Sequence, residues 1–111
     1  MKGGIMNVAT GIAINEIIKE RERQNQLKAE GRFMYTCADQ EMDLTNCMLV
    51  LMEEVGELCR AVLEEKELTF DRLADHVQGK VGMEKIRNEV VQVGAVALAM
   101  CERFVEIKDA D

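Results

Sequence analysis

Asp43–Glu65 reads DLTNCMLVLMEEVGELCRAVLEE, and the fold turns on how this stretch is read. Leu44, Met48, Leu51, Val55, Leu58 and Val62 recur at alternating spacings of four and three, the period of an apolar stripe on one helix face. Glu54 and Glu57 are three apart and so project together beside that stripe. Carboxylates grouped along a buried seam repel one another, and a divalent cation between them would remove the repulsion. Asp43 is the expected N-cap, its carboxylate accepting from the free amides of the first turn.

Working outward, a second run carries the same period. Ile86, Val90, Val93, Ala97, Met100 and Phe104 mark a final helix from about Met83 to Ile107. Before the central stretch, Ile12–Glu30 predicts a first helix with Ile14, Ile17, Ile18, Arg21 and Leu27 on one side, ended by Gly31. Residues 1–11 hold three glycines, and two readings stay open there: a frayed start, or a helix extended backwards through Ile5, Val8 and Ile12. Thr69 offers a cap for a short third helix within Glu67–Gln78, with Phe70, Leu73, Ala74 and Val77 inward, and Gly79 and Gly82 frame a turn. The expected fold is therefore all-α: a single domain over residues 1–111, built as an antiparallel bundle of about four helices. Gly56 and Gly94 interrupt the two long helices, where each costs about 1 kcal/mol relative to alanine, so the two helices are expected to approach closely there.

Composition narrows the function. The 111 residues contain no proline, 48% hydrophobic side chains and few aromatics, which favours helices over sheets. The net charge of −7 comes from 21 acidic against 14 scattered basic residues, so nucleic acid is not an expected partner. An anionic substrate would need a cation as intermediary. Cys37, Cys47, Cys59 and Cys101 form no C-x-x-C pair and are expected as reduced, small apolar core residues. No apolar run is long enough to span a membrane, and Met1–Ile14 has no leader pattern, so a cytoplasmic location is expected.

The residues suited to chemistry are acids. Mg²⁺ takes oxygen ligands in near-octahedral geometry through a few carboxylates, waters and substrate phosphates. One helix offers Glu53, Glu54 and Glu57; the other offers Glu89 and, three residues on, Gln92, whose carbonyl oxygen is a weaker ligand. A di-iron bundle would need a Glu-x-x-His on each of two helices, and the single His76 lies outside both expected long helices. Between the first two helices, Phe33 and Tyr35 place two of the four aromatics within three positions, candidates for stacking on a base.

Glu53-Glu54-Val55-Gly56-Glu57-Leu58, followed by Glu89-Val90-Val91-Gln92, resembles the E-E-x-x-E and E-x-x-D motifs of MazG-like proteins, the all-α nucleoside triphosphate pyrophosphohydrolases. The charged run Glu20–Gln24 is also similar to the start of small MazG-like proteins of phages and bacteria. The resemblance covers the layout from about Glu16 to Phe104, with only the first motif specific. It implies Mg²⁺-dependent (or Mn²⁺-dependent) hydrolysis of a nucleoside or deoxynucleoside triphosphate to a monophosphate and pyrophosphate. The family's metal ligands carry over to Glu54, Glu57 and Glu89, with Glu53 as a further ligand or as the base that orients water. Gln92 stands where the family has aspartate. Relatives add a basic phosphate-gripping segment, for which the nearest candidates here are Arg60, Lys80, Lys85 and Arg87, with Arg60 and Lys85 taken as substrate contacts. The two long seams and eight methionines leave apolar face for a homodimer or homotetramer. The rival expectation is a noncatalytic helical module for oligomerisation or partner binding, its metal site impaired at Gln92.

Overall fold

In the computed structural model of the chain, Asn7 opens the first helix: its side-chain oxygen accepts from the Ala9 amide at 2.7 Å. This cap satisfies one of the donors a helix start leaves free, and α1 runs Val8–Ala29 rather than from Ile12. Its end is a Schellman turn. Gly31, at φ 79°, donates to the Lys28 carbonyl at 2.9 Å, and Arg32 donates to Leu27 at 2.8 Å. After the connecting loop, Asp43 caps α2 as expected, accepting from the Thr45 amide at 2.9 Å.

The structure describes residues 7–33, 35–70 and 76–105, with side chains for all of them except 67–70 and 76–81. Among the described residues it is all-helical, with three helices rather than about four: α1, α2 (Leu44–Phe70) and α3 (His76–Glu102). The expected short third helix is divided. Thr69 and Phe70 belong to α2, while Val77 and Gln78 belong to α3; Leu73 and Ala74 lie outside the described residues. Gly79 and Gly82 frame no turn but sit inside α3, and His76 is its first residue. A glycine costs a helix about 1 kcal/mol yet blocks neither its hydrogen bonds nor its dihedrals, so α3 continues through both. Ile107, the expected end of the last helix, lies outside the described residues.

α3 is the floor of the molecule. α1 and α2 each pack on it, and among the described residues they do not pack on one another. Glu64 pairs with Lys85, and Cys47 shares a core cluster with Val96 and Ala99, so α2 and α3 are antiparallel. Contacts from Glu16 to Arg87, Ile17 to Gly94 and Arg21 to Glu102 advance together, so α1 crosses α3 in the same chain direction. Small residues make room for both neighbours: Ala95 and Ala99 are buried, and a Cβ on Gly94 would meet Ile17 Cδ1 at 2.9 Å. The expected approach of α2 to α3 at Gly56 and Gly94 is thus corrected. Gly94 admits α1, Gly56 faces open space, and Gly82, under the Glu65 carboxylate, admits α2.

The stripe on α2 is also rotated from its expected position. Cys47, Leu51, Glu54, Leu58, Ala61 and Glu65 are its buried or half-buried line, at spacings of four and three, whereas Leu44, Met48, Val55 and Val62 are exposed. Glu54 therefore lies within the buried line instead of beside it. Likewise Val90 of α3 is exposed, and Phe104, also exposed, lies in the turn past the end of α3 at Glu102. Of the cysteines, Cys37 and Cys47 are core residues and Cys59 and Cys101 are exposed, so the expectation of four core thiols holds for two.

The core is thin, and among the described residues Cys47 is its largest fully buried side chain. Polar contacts hold the rest. Arg21, buried, donates to Glu102 at 2.7 and 3.2 Å, to Asn25 at 2.7 Å and to Thr36 at 3.3 Å, tying α1 to α3 and the loop. Arg103 donates to the Met42 carbonyl at 2.8 Å, to Cys47 Sγ at 3.1 Å and to the Cys37 carbonyl at 3.4 Å, fastening the loop over the end of α3. The Cα radius of gyration is 17.4 Å, against about 13 Å for a compact domain of this length, so much apolar surface stays uncovered. No described helix is long and apolar enough to cross a membrane.

Candidate metal centre and adjoining cavity

Helical spacing sets Glu54 and Glu57 on one side of α2, and antiparallel packing brings Glu89 of α3 opposite them. Each of the three offers a carboxylate oxygen within 4.8 Å of the other two. Glu54 and Glu89 are half-buried and Glu57 is exposed, so the trio is open on one side. Burial, then the charges of Glu57, Glu89, Glu53 and Glu20, push the Glu54 carboxyl above the usual carboxylate range. Glu89 Oε2 is buried with no hydrogen-bond donor among the described residues. A buried carboxylate oxygen without a partner is costly, so it is an unmet demand for positive charge.

A hard divalent cation fits this donor set. Oxygens on opposite sides of Mg²⁺ stand about 4.2 Å apart, close to the span available here, and the open side leaves room for waters or phosphate. Glu53 is exposed and contributes to the field at Glu54.

The trio adjoins a cavity of about 230 Å³ between α1 and α2, above α3. α1 supplies Arg23 and Gln24, the loop supplies Phe33, Tyr35, Thr36, Cys37 and Met42, α2 supplies Val50 and Glu54, and α3 supplies Gln92, Val96 and Ala99. Glu54 belongs to both cavity and trio. Outside Phe33 and Tyr35 lies a more open groove of about 520 Å³ that also touches Arg32, Glu41, Asp43 and Asn46.

Of the residues selected from sequence, Glu54, Glu57 and Glu89 converge, and Phe33, Tyr35 and Gln92 line the cavity. Arg60 and Lys85 both engage Glu64, at 3.0 and 3.3 Å, and neither lines the cavity. Sequence reasoning missed the contribution of α1. Glu20 lies in the field of Glu54 and receives two hydrogen bonds from Arg23, at 2.8 and 2.7 Å, while Gln24 is buried on the cavity wall. The available signal was the spacing of Ile17, Glu20, Gln24 and Leu27 along one side of α1. Comparison of the chain with protein-family models, with curated proteins and with solved structures found no match.

Proposed function

We propose that the protein is a Mg²⁺-dependent pyrophosphohydrolase of the MazG-like type, acting on nucleoside or deoxynucleoside triphosphates. One observation carries the reading: three carboxylates from α2 and α3 meet beside an aromatic-walled cavity, and one of their oxygens is buried without a donor. Glu54, Glu57 and Glu89 would hold the metal. Mg²⁺, or Mn²⁺, supplies charge neutralisation of the triphosphate and a water of lowered pKa.

The chain's own groups do the remaining work. Phe33 and Tyr35 stack on the base, and Gln24 and Gln92 offer amide donors and acceptors to its edge or to the sugar. Glu53, exposed beside Glu54, accepts the proton of the attacking water. Positioning and electrostatics dominate this kind of transfer, so no covalent nucleophile is required. The antiparallel pair α2–α3 is half of a MazG-like bundle in this reading. Met48, Met52, Val55, Val62 and Leu63, all exposed on α2, support its completion by a second copy, as a homodimer or homotetramer.

The test is pyrophosphate release from a panel of ribo- and deoxynucleoside triphosphates with Mg²⁺ or Mn²⁺. Release by the wild type and not by Glu57→Ala is the expected result. Equal release by both ends the enzymatic reading and leaves the noncatalytic helical module.

A further inference from the structure

The pyrophosphohydrolase reading leaves the phosphates without a protein cation, and the structure bears on which side chain supplies it. A triphosphate approaching Glu54, Glu57 and Glu89 meets three carboxylates, with Glu53 and Glu20 adding to their field. Three of the four basic candidates on α2 and α3 have partners of their own, and the side chain of the fourth, Lys80, lies outside the described residues. Arg60 and Lys85 pair with Glu64, and Arg87 pairs with Glu16 and Glu84. Among the described residues that line the cavity, the one cation is Arg23.

Its geometry suits an anion. Nε and Nη2 donate to the two oxygens of Glu20 at 2.8 and 2.7 Å, a fork on a carboxylate that is itself only 12% exposed. Guanidinium has five N–H groups, so this contact uses two and leaves three. Nη1 makes no hydrogen bond among the described residues, and the Arg23 side chain is 54% exposed. One edge is thus anchored and the other is free, on the wall of a cavity that meets the acidic trio at Glu54. An anchored fork loses little rotamer freedom when it grips phosphate, and its planar donors match phosphate oxygens. A purely structural role would be that of an ordinary i, i+3 pair on a helix, weak and indifferent to ligands.

We propose that Arg23 is the phosphate-contacting residue of this site, oriented by Glu20. The inference rests on the pyrophosphohydrolase reading and extends it to a residue of α1 outside the acidic motifs.

Calorimetric titration tests it with three probes: Mg²⁺ alone, Mg²⁺ with inorganic tripolyphosphate, and Mg²⁺ with a panel of non-hydrolysable α,β-imido nucleoside triphosphates. Arg23→Ala should weaken tripolyphosphate and the best analogue by about 10-fold or more, the loss of a charge-assisted hydrogen bond. It should leave Mg²⁺ affinity unchanged, which also reports that the α2–α3 site is folded. Arg23→Lys should recover part of the loss, and Glu20→Gln, which frees the fork, should cost less than Arg23→Ala. Wild type that binds the analogue and Arg23→Ala that binds it equally well overturn this inference alone. Wild type that binds neither tripolyphosphate nor any analogue overturns the pyrophosphohydrolase reading, and this inference with it.

Discussion

Glu54 of α2 and Glu89 of α3 meet across the helix seam with carboxylate oxygens no more than 4.8 Å apart, and Glu89 Oε2 has no donor among the described residues. Two helices packed by apolar contacts thus hold like charges together at their half-buried centre. Part of the packing energy of α2 on α3 offsets that repulsion, and a bound cation would reverse its sign.

Glu54→Gln is therefore expected to have opposite effects with and without metal. The raised Glu54 carboxyl costs stability once ionised, and the cost disappears as pH falls through its folded pKa. In EDTA at pH 7 the variant should melt roughly 2–5 °C above wild type. With millimolar Mn²⁺, wild type should gain thermal stability and the variant should gain little. Equal metal-induced shifts in a melting assay would rule out Glu54 as a ligand.

Gly94 sets the spacing of α1 from α3. Gly94→Ala gains about 1 kcal/mol of helix propensity but drives a methyl group into Ile17 Cδ1, at 2.9 Å. Overpacking of this kind costs about 1–3 kcal/mol, so a net loss of about 1 kcal/mol is expected. Adding Ile17→Ala should then cost less than it does in wild type. Denaturant unfolding of the four proteins in the cycle measures that coupling.

Asp39 organises the loop that walls the cavity. It accepts from Lys28 Nζ at 2.6 Å and from the Thr36 amide at 2.7 Å, and these bonds, Lys28 first, hold its carboxyl below the usual range. A depressed carboxyl stabilises the fold above its unfolded pKa and loses that contribution as pH falls through its folded pKa. Asp39→Asn should lower stability at pH 7 by on the order of 1 kcal/mol, with the difference from wild type shrinking below about pH 4. Urea midpoints taken across that range would decide it.

Thiol reactivity should divide the cysteines in pairs. Burial, followed by the contact with Cys47, pushes the Cys37 thiol up to about 12, while Cys59 and Cys101 are exposed. Iodoacetamide at pH 8 should label Cys59 and Cys101 in the folded protein and all four cysteines in denaturant. Rapid labelling of Cys37 without denaturant, seen by peptide mass mapping, would contradict the buried Cys37–Cys47 cluster.

Much of the architecture was legible because local rules act within a few residues. Asp43 capped α2 and Gly31 closed α1 as their chemistry requires, and the four-three period marked the presence of both long helices, although α3 begins at His76 rather than near Met83 and ends before Phe104. Reading breaks from glycine failed at Gly79 and Gly82, since a weak helix former inside a packed helix is tolerated. Periodicity also misjudged the buried line of α2. Apolar residues cover more than half its circumference, and only packing against α3 selects Cys47, Glu54 and Ala61 over Met48, Val55 and Val62.

The sequence by itself determined the helical character of the described residues, the Asp43 cap of α2, the Gly31 end of α1 and the pairing of Glu54 with Glu57, because each depends on contacts between residues a few positions apart. Tertiary structure decided which acids share a site. Glu89 joins the trio through antiparallel packing with α2, while Glu20 and Arg23 reach the site because Gly94 lets α1 settle against α3. Those contacts link positions far apart in the chain, and their register depends on side-chain volume at the helix crossings, a quantity no local pattern carries.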